Sequence, residues 1–338
     1  MRFLITGHTG FKGAWLSLML KKMGHEVSGL SLDPVPGSLY ELFDASSLYS
    51  HSLIGDIRSM HEVRQAMQIV NPQVVVHLAA QALVRESYRD PVNTYETNVN
   101  GTQVILKSFS ELEHPPLALM ITTDKVYAND GRRSGYKEDD ELGGKDPYSS
   151  SKAIADLLIQ AWQTMNPNLN IGIARAGNVI GGGDVSKERL LPDLIRAMIE
   201  GKPVELRNPS AIRPWQHVLD CLAGYLKLID FMAQHDGSVG AWNFGPNPAD
   251  IRTVSDVAEK VADVWGSKTS WLHSAELAMP EAETLLLDSS KTRANLTWND
   301  KLDFDASVEW TVNWHQRVNS GVSVRQAMED DVDRFLQL

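Results

Sequence analysis

The sequence predicts an α/β protein built on a doubly wound parallel sheet with a smaller C-terminal α/β lobe, and three observations predict it. Over the first half of the chain, short β-branched runs alternate with helical patterns, the rhythm of successive βαβ units. A glycine-rich turn, TGHTGFKG at 6–13, stands between the first run and the first helical pattern. After Gly181-Gly182-Gly183 the segments lengthen and grow richer in Pro and Trp, which marks a change of architecture.

Taken in order, Arg2 to Thr6 is the first strand, and Trp15 to Met23 (WLSLMLKKM) a helix stopped by Gly24. His25 to Leu32 is the second strand. Ile54 to Asp56 closes a third, followed by a helix from about Met60 to Val70. Gln73 to Leu78 (QVVVHL) is a fourth strand, with one helix over Thr94 to Leu112. Leu117 to Thr122 is a fifth, Pro147 to Met165 a helix, and Asn170 to Arg175 a sixth strand. Helical patterns follow at Leu191 to Glu200, Val218 to Gln234, Val254 to Trp265 and Ser307 to Asn319. The division between lobes is expected near residue 176. Residues 177–338 then form mainly the second lobe, with segments near 214–246, among them AWNFG at 241–245, returning to the first sheet.

Composition narrows the function classes. The chain has 338 residues, 43% of them hydrophobic and 22% charged, enough for a large core shared by two lobes. A formal net charge of −11 argues against nucleic acid as a partner, while leaving room for a local basic pocket that takes one diphosphate. Cys221 is the single cysteine, so no intramolecular disulfide and no cysteine metal cluster can form, which suits a reducing cytoplasm. MRFLIT runs straight into the glycine turn, and no signal peptide is expected. The most apolar stretch, VVVHLAAQALV, is too short to span a bilayer, so no membrane partner is expected. No H-E-x-x-H, C-x-x-C or EF-hand pattern occurs, and no metal site is expected.

Gly7, Gly10 and Gly13 form G-x-x-G-x-x-G at the start of a βαβ series. The first glycine permits a tight turn, the second lets the backbone approach a diphosphate, and the third lets the helix pack on the strand. The plainer alternative is a βα turn that merely needs glycine; its position on the first strand favours a Rossmann-type dinucleotide site. Asp33 follows Gly13 by 20 residues, at the end of the second strand. A carboxylate there accepts the ribose hydroxyls and repels a 2′-phosphate, which favours NAD over NADP; alternatively it opens the DPVPG turn. Asp56, in GDIR, is placed to meet the adenine amino group or to serve as a turn and helix cap.

Y-S-S-S-K puts Tyr148 and Lys152 four residues apart on one helix face. An ammonium near a phenol favours phenolate, so the pair predicts a lowered tyrosine pKa and a base for a substrate hydroxyl. A bare Y-x-x-x-K is common on exposed helices. What lifts it is order, because the glycine turn, TTD after the fifth strand and the Tyr–Lys helix all reach the carboxyl edge of one sheet.

At this point the chain resembles the extended short-chain dehydrogenase/reductase family, and within it the nucleotide-sugar 4,6-dehydratases. The residues that carry the resemblance are TGHTGFKG (6–13), HLAAQALVRESY (77–88), TYETNVNGT (94–102), TTDKVY (122–127), LGGKDPYSSSKA (142–153), RAGNVIGGGD (175–184) and RNPSAIRPWQHVLD (207–220). LLLDSSKTRANLTW (285–298) resembles the family's C-terminal part. The resemblance implies an NAD-binding first domain over 1–176 and a nucleotide-sugar-binding lobe beyond it. It sets Phe11, Ile57, Leu78, Ala79, Ala80 and Asn98 beside the cofactor, together with Tyr148 and Lys152. It implies that Tyr148 deprotonates the sugar 4-hydroxyl while hydride passes from C4 to NAD. Water then leaves across C5 and C6, and the hydride returns to C6. Thr123 would hydrogen-bond O4, and Asp124 would protonate the departing 6-hydroxyl.

Most dehydratases of this type carry glutamate after that aspartate as the C5 base. Here Lys125 follows, as in the branch that acts on CDP-glucose, which the resemblance therefore favours. A free lysine is protonated at neutral pH, so Lys125 is either a base made neutral by burial or a neighbouring cation, or a charged group that stabilises the enolate. We read it as the base. Gln81 is expected to touch substrate. By resemblance Asn178 and Arg213 meet the diphosphate, and Arg189 and Arg207 are offered to it, with surface charge as their alternative. Trp215 is read as core, His217 as structural and Asp184 as a turn residue.

VYANDGRRSGYKEDDE departs from the family, which leaves the choice among CDP-glucose, dTDP-glucose and GDP-mannose open. A 4-epimerase would share Thr, Tyr and Lys without needing Asp124, and a non-catalytic NAD-binding protein would need neither. The resemblance also implies a homodimer paired through helices 94–112 and 147–165.

Overall fold

The computed structural model describes residues 1–267, 271–274 and 284–338. Six strands lie within two residues of their expected limits: β1 (Arg2–Thr6), β2 (Glu26–Ser31), β3 (His51–Ile54), β4 (Val74–His77), β5 (Leu117–Ile121) and β6 (Ile171–Ala176). Further along come β7 (Asn178–Ile180), β8 (Glu205–Leu206), β9 (Ile212–Arg213), β10 (Trp215–His217) and β11 (Gly240–Phe244). β11 pairs in parallel with β6, so the returning segment completes a seven-stranded parallel sheet of order β3-β2-β1-β4-β5-β6-β11. The winding reverses between β1 and β4, and that switch opens a crevice at the carboxyl edge.

Side chains alternate across the sheet with the period-two rule. Phe3, Ile5, Val74, Val76, Leu119 and Ile121 enter one core, and Leu4, Val75, Ala118, Met120, Ile171 and Ile173 enter the other. Because both faces are covered, the strands read as near-continuous apolar runs. Each buried Val, Ile or Leu contributes about 1.5–3 kcal/mol of burial free energy.

The helices are α1 (Phe11–Lys22), α2 (Leu39–Leu42), α3 (Met60–Val70), α4 (Val84–Arg89), α5 (Pro91–Tyr95), α6 (Gly101–Ser110), α7 (Pro147–Met165), α8 (Leu190–Glu200), α9 (Val218–Ala233), α10 (Val254–Trp265), α11 (Ser290–Leu296), α12 (Phe304–Asn319) and α13 (Val324–Gln337). α1, α9 and α13 cover one face of the sheet, and α3, α6 and α7 the other. A third apolar cluster, outside the sheet, joins α8, α10 and α12 around Trp215. Among the described residues, no helix is long and apolar enough to cross a membrane.

Two expectations are corrected here. The first helix begins at Phe11 rather than Trp15, because Gly10 is its N-cap and Gly13 is tolerated inside it where it packs on the turn. The helix expected over Thr94 to Leu112 is interrupted by a π-turn at Glu96–Asn100. The extra residue swings Asn98 inward, where it is 1% exposed.

Candidate active site

Gly7 leaves β1 with φ of +76°, and its N–H donates to the Leu30 carbonyl at 2.8 Å. A Cβ on Gly7 would stand 2.8 Å from the Ala79 nitrogen, and one on Gly13 would stand 2.4 Å from the Gly7 oxygen. Both positions therefore require glycine, one for the left-handed turn against Leu78, Ala79 and Ala80, the other for the approach of α1. No side chain caps Gly10, so the first amides of α1 are open to an anion, and Phe11 begins the helix beside them. Asp33 is exposed two residues beyond β2. Asp56 is held by Arg58, whose Nε donates at 2.9 and 3.0 Å, and this contact keeps its carboxyl low. The adjacent Ile57 is buried under Gly101. An amide-lined turn at a helix N-terminus, with a free carboxylate past the second strand, fits a dinucleotide.

Beyond β5 the chain turns sharply. Thr123 caps the short 3-10 turn Asp124–Val126, and its hydroxyl donates to Asp124 Oδ1 at 2.8 Å. Asp124 is 2% exposed, and its Oδ2 has no partner among the described residues. Burial pushes this carboxyl up, against Lys125, Thr123, Arg213 and Lys12, which hold it down. A raised carboxyl retains a proton it can give away. Lys125 is half-buried on the same turn.

α7 opens on Asp146, whose side chain accepts from the Ser149 N–H at 2.9 Å, with Pro147 in the first helical position. The Tyr148 N–H donates to Ser87 Oγ of α4 at 3.1 Å, and the phenol hydrogen-bonds with the Thr123 side chain. The expected lowering of the phenol pKa is overturned. Burial pushes Tyr148 up to about 12, Thr123 and the Arg189 charge pull it down, and Asp124 raises it. Lys152 is not among the groups that act on the phenol, and its Nζ donates to the Ile121 carbonyl at 2.9 Å. Burial lowers Lys152 to about 8, with Asp156 raising it and Lys12 lowering it.

Asn98 ties the segment after β4 to this helix. Its Oδ1 accepts from the Gln81 N–H at 2.9 Å, and its Nδ2 donates to the Gln81 carbonyl at 3.0 Å and to Ser151 Oγ at 2.9 Å. The Gln81 amide nitrogen in turn donates to Thr94 Oγ1 at 2.9 Å.

The cationic residues divide. Arg213, 6% exposed at the end of β9, is close enough for its charge to act on Asp124. Arg189 stands before α8, donates to Asp184 Oδ2 at 3.3 Å, and its charge reaches Tyr148. Arg207 is half-buried just past β8, and no contact brings it to the cluster among the described residues. Asn178 opens β7 opposite Trp215 of β10. Trp215 lies in the core, His217 caps α9 through Nδ1, and Asp184 accepts from the Ser186 N–H in a turn.

Sequence reasoning missed Ser87, Asp146, Lys12 and the π-turn. Asp146-Pro147 is a legible helix start, N-cap followed by proline. Lys12 and Ser87 are brought in by packing alone.

A sheet that switches at β1/β4, a glycine cradle there and a Thr–Tyr–Lys cluster beside it define a dinucleotide-dependent enzyme of the short-chain dehydrogenase type. The sequence profile of the NAD dependent epimerase/dehydratase family matches residues 3–245, and the chain belongs to that family, whose cofactor is NAD. It is 42% identical over 329 residues to the CDP-glucose 4,6-dehydratase of Salmonella typhimurium strain LT2, covering 93% of this chain and 90% of that one. A crystal structure of UDP-glucose 4-epimerase from Bifidobacterium longum, in complex with NAD+ and UDP, matches with a TM-score of 0.84 at 21% identity, over 95% of this chain and 100% of that one. The dTDP-glucose 4,6-dehydratase of Bacillus anthracis strain Ames, in complex with NAD, matches with a TM-score of 0.81 at 23% identity, over 97% and 99%.

Proposed function

We propose that this chain is a nucleotide-sugar 4,6-dehydratase that converts CDP-glucose to CDP-4-keto-6-deoxyglucose and water. The observation that carries the reading is Asp124. It is a buried acid with an unpartnered oxygen, joined through Thr123 to Tyr148. A 4-epimerase has no hydroxyl to expel and no use for that proton. The similarity to the Salmonella enzyme supports the choice of CDP-glucose.

In this reading bound NAD supplies a hydride acceptor that is restored within each turnover. Tyr148 takes the proton of O4 as C4 is oxidised, and Thr123 holds O4 in place. Lys152 stays charged beside them. Lys125 removes the proton at C5, now acidified by the 4-ketone. Asp124 delivers its proton to O6, which departs as water. Lys125 returns its proton to C5 as C6 takes back the hydride, and the cycle closes when Tyr148 gives up the proton it took and Asp124 regains one. Tyr148 needs a strong field to act at neutral pH, since burial alone leaves the phenol protonated. Arg213, Arg189 and Asn178 grip the diphosphate, residues 1–176 hold the cofactor and the remainder mainly the nucleotide sugar. A homodimer paired through α6 and α7 would cover Ile154 and Leu157, both exposed on α7. The single, buried cysteine is in keeping with a reducing cytoplasm.

The test is mass spectrometry of purified protein with NAD and, separately, CDP-glucose, dTDP-glucose, UDP-glucose and GDP-mannose. Loss of one water from CDP-glucose alone is the expected result. A changed sugar configuration without water loss would replace this reading with an epimerase. Light scattering that gives a stable monomer would remove the dimer.

A further inference from the structure

Two deeply buried charges outside the reacting cluster lie near Lys152, the first of them one helical turn beyond it. Asp156 is 0% and Arg175 1% exposed at the side chain, and they meet in a two-pronged ion pair. Arg175 Nε donates to Asp156 Oδ2 at 2.9 Å and Nη2 to Oδ1 at 2.7 Å. Two further donors complete the carboxylate, Thr122 Oγ1 at 2.9 Å and Gln160 Nε2 at 2.8 Å. Arg175 Nη1 donates to the Tyr127 hydroxyl at 3.0 Å and to the Glu138 carbonyl at 2.9 Å, and the Tyr127 hydroxyl in turn donates to Asn243 Oδ1 at 2.7 Å.

This network connects four elements through two charges. Thr122 and Tyr127 flank the Thr123–Asp124–Lys125 turn on either side. Asp156 sits on α7 four residues after Lys152, on the face that carries Tyr148. Arg175 is the penultimate residue of β6, and Asn243 belongs to β11. A buried ion pair does little for net stability compared with an apolar packing of the same volume. Its place between the turn and the Tyr–Lys helix calls for another account.

We propose that Asp156 is a positioning residue that acts as the fixed counter-ion of the Lys152 ammonium, clamped by Arg175, and through Thr122 ties the Thr123–Lys125 turn to the helix of Tyr148 and Lys152. The groups that face Lys152 are few. α7 offers Asp156 and Tyr148, α1 offers the Lys12 ammonium, and β4 offers His77, which burial pushes down to about 3 and so keeps neutral. β5 offers the Ile121 carbonyl, and the charge of β6, Arg175, is engaged by Asp156. Asp156 is thus the one anion acting on Lys152 among its facing groups. With Lys152 lowered to about 8 by burial and by Lys12, its charge near neutral pH depends on that anion.

The inference takes the catalytic importance of Lys152 from the proposed function, but its primary test does not require turnover. Protein carrying 13Cε-labelled lysine is titrated by NMR, with the Lys152 signal assigned by its loss in Lys152→Arg. Asp156→Asn is expected to lower the Lys152 midpoint by about one pH unit or more, and Arg175→Gln, which frees the carboxylate, to raise it. The alkaline limb of kcat/KM for water loss should move the same way in each variant, and Asp156→Glu should restore it. If either single variant fails to fold, Asp156→Asn/Arg175→Gln keeps the hydrogen-bonding shape without the charges, and its midpoint should also fall. A Lys152 midpoint that stays in place in the folded variants would overturn the proposal, even if activity drops uniformly with pH. Absence of water loss from every nucleotide sugar tested on the wild type would instead refute the proposed function and leave the titration to be read.

Discussion

Thr123 donates its hydroxyl to Oδ1 of Asp124 at 2.8 Å, and Oδ2 of the same carboxyl is buried without a partner among the described residues. One oxygen is oriented and the other is left for something that enters the site. Asp124→Asn keeps the shape and removes the transferable proton, so water loss should fall about 10²- to 10⁴-fold. The stability effect has the opposite sign. A carboxyl whose folded pKa is raised stabilises fully below its unfolded pKa and loses that contribution as pH rises through the folded one. A neutral amide in its place escapes this loss. Asp124→Asn should therefore be more stable than wild type at pH 8, by about 1 kcal/mol, and no more stable at pH 4. Urea unfolding at the two pH values checks it.

Gly7 and Gly24 share the left-handed backbone, with φ of +76° and +81°, and differ in their surroundings. A Cβ on Gly24 meets nothing within 4 Å, whereas one on Gly7 collides with the Ala79 backbone. Gly24→Ala should cost about 1–2 kcal/mol from its backbone alone and leave NAD binding untouched. Gly7→Ala should cost more than this and abolish NAD binding, as read by calorimetry.

Asp33 projects past β2 with its carboxylate exposed. Replacing it with Ala removes a ribose acceptor and the repulsion of a 2′-phosphate. The ratio of NADP to NAD affinity should rise about tenfold or more. An unchanged ratio in paired binding titrations would return Asp33 to the DPVPG turn.

Glu188, in the left-handed region with φ of +62°, receives Arg85 and Arg89 of α4 at 3.0 Å each on Oε1. It thereby joins the segment before α8 to the helix whose Ser87 supports Tyr148. These charges are partly exposed, so the clasp is worth about 1 kcal/mol and is screened by salt. Glu188→Gln should raise KM about fivefold with little change in kcat, and the difference should shrink in 0.5 M salt, about three times the physiological ionic strength.

Lys125→Met and Lys125→Glu separate base from charge. A base role predicts that Met loses about 10²-fold or more of water loss and Glu recovers part of it. A purely electrostatic role predicts that Glu is the worse of the two. Deuterium exchange at C5, followed by mass spectrometry, distinguishes them.

The strands, the glycine turn and the Tyr–Lys helix were legible because each is written locally. A period of two or of 3.6, an N-cap before proline and a glycine where a Cβ cannot fit are properties of a few neighbouring residues. The π-turn at Glu96–Asn100 was not legible, since only the bonds of Asn98 to Gln81 and Ser151 show why the helix bends there. Lys12 carries no local signal of a role, yet its Nζ lies 3.2 Å from the Tyr225 hydroxyl and its field reaches Asp124 and Lys152.

By itself, then, the sequence determined the succession of strands along the chain, the glycine turn that opens the first helix and which side chains are candidates for chemistry. Only the tertiary structure decided their protonation. The spacing of Tyr148 and Lys152 predicted an acidified phenol, but the folded chain turns the ammonium to Ile121 and buries the ring, so the phenol rises to about 12. Residue types and spacings travel with the chain. Desolvation and through-space charge depend on which distant segments close around a group, and Arg175 and Lys12 come to the helix of Lys152 and Asp156 from β6 and α1.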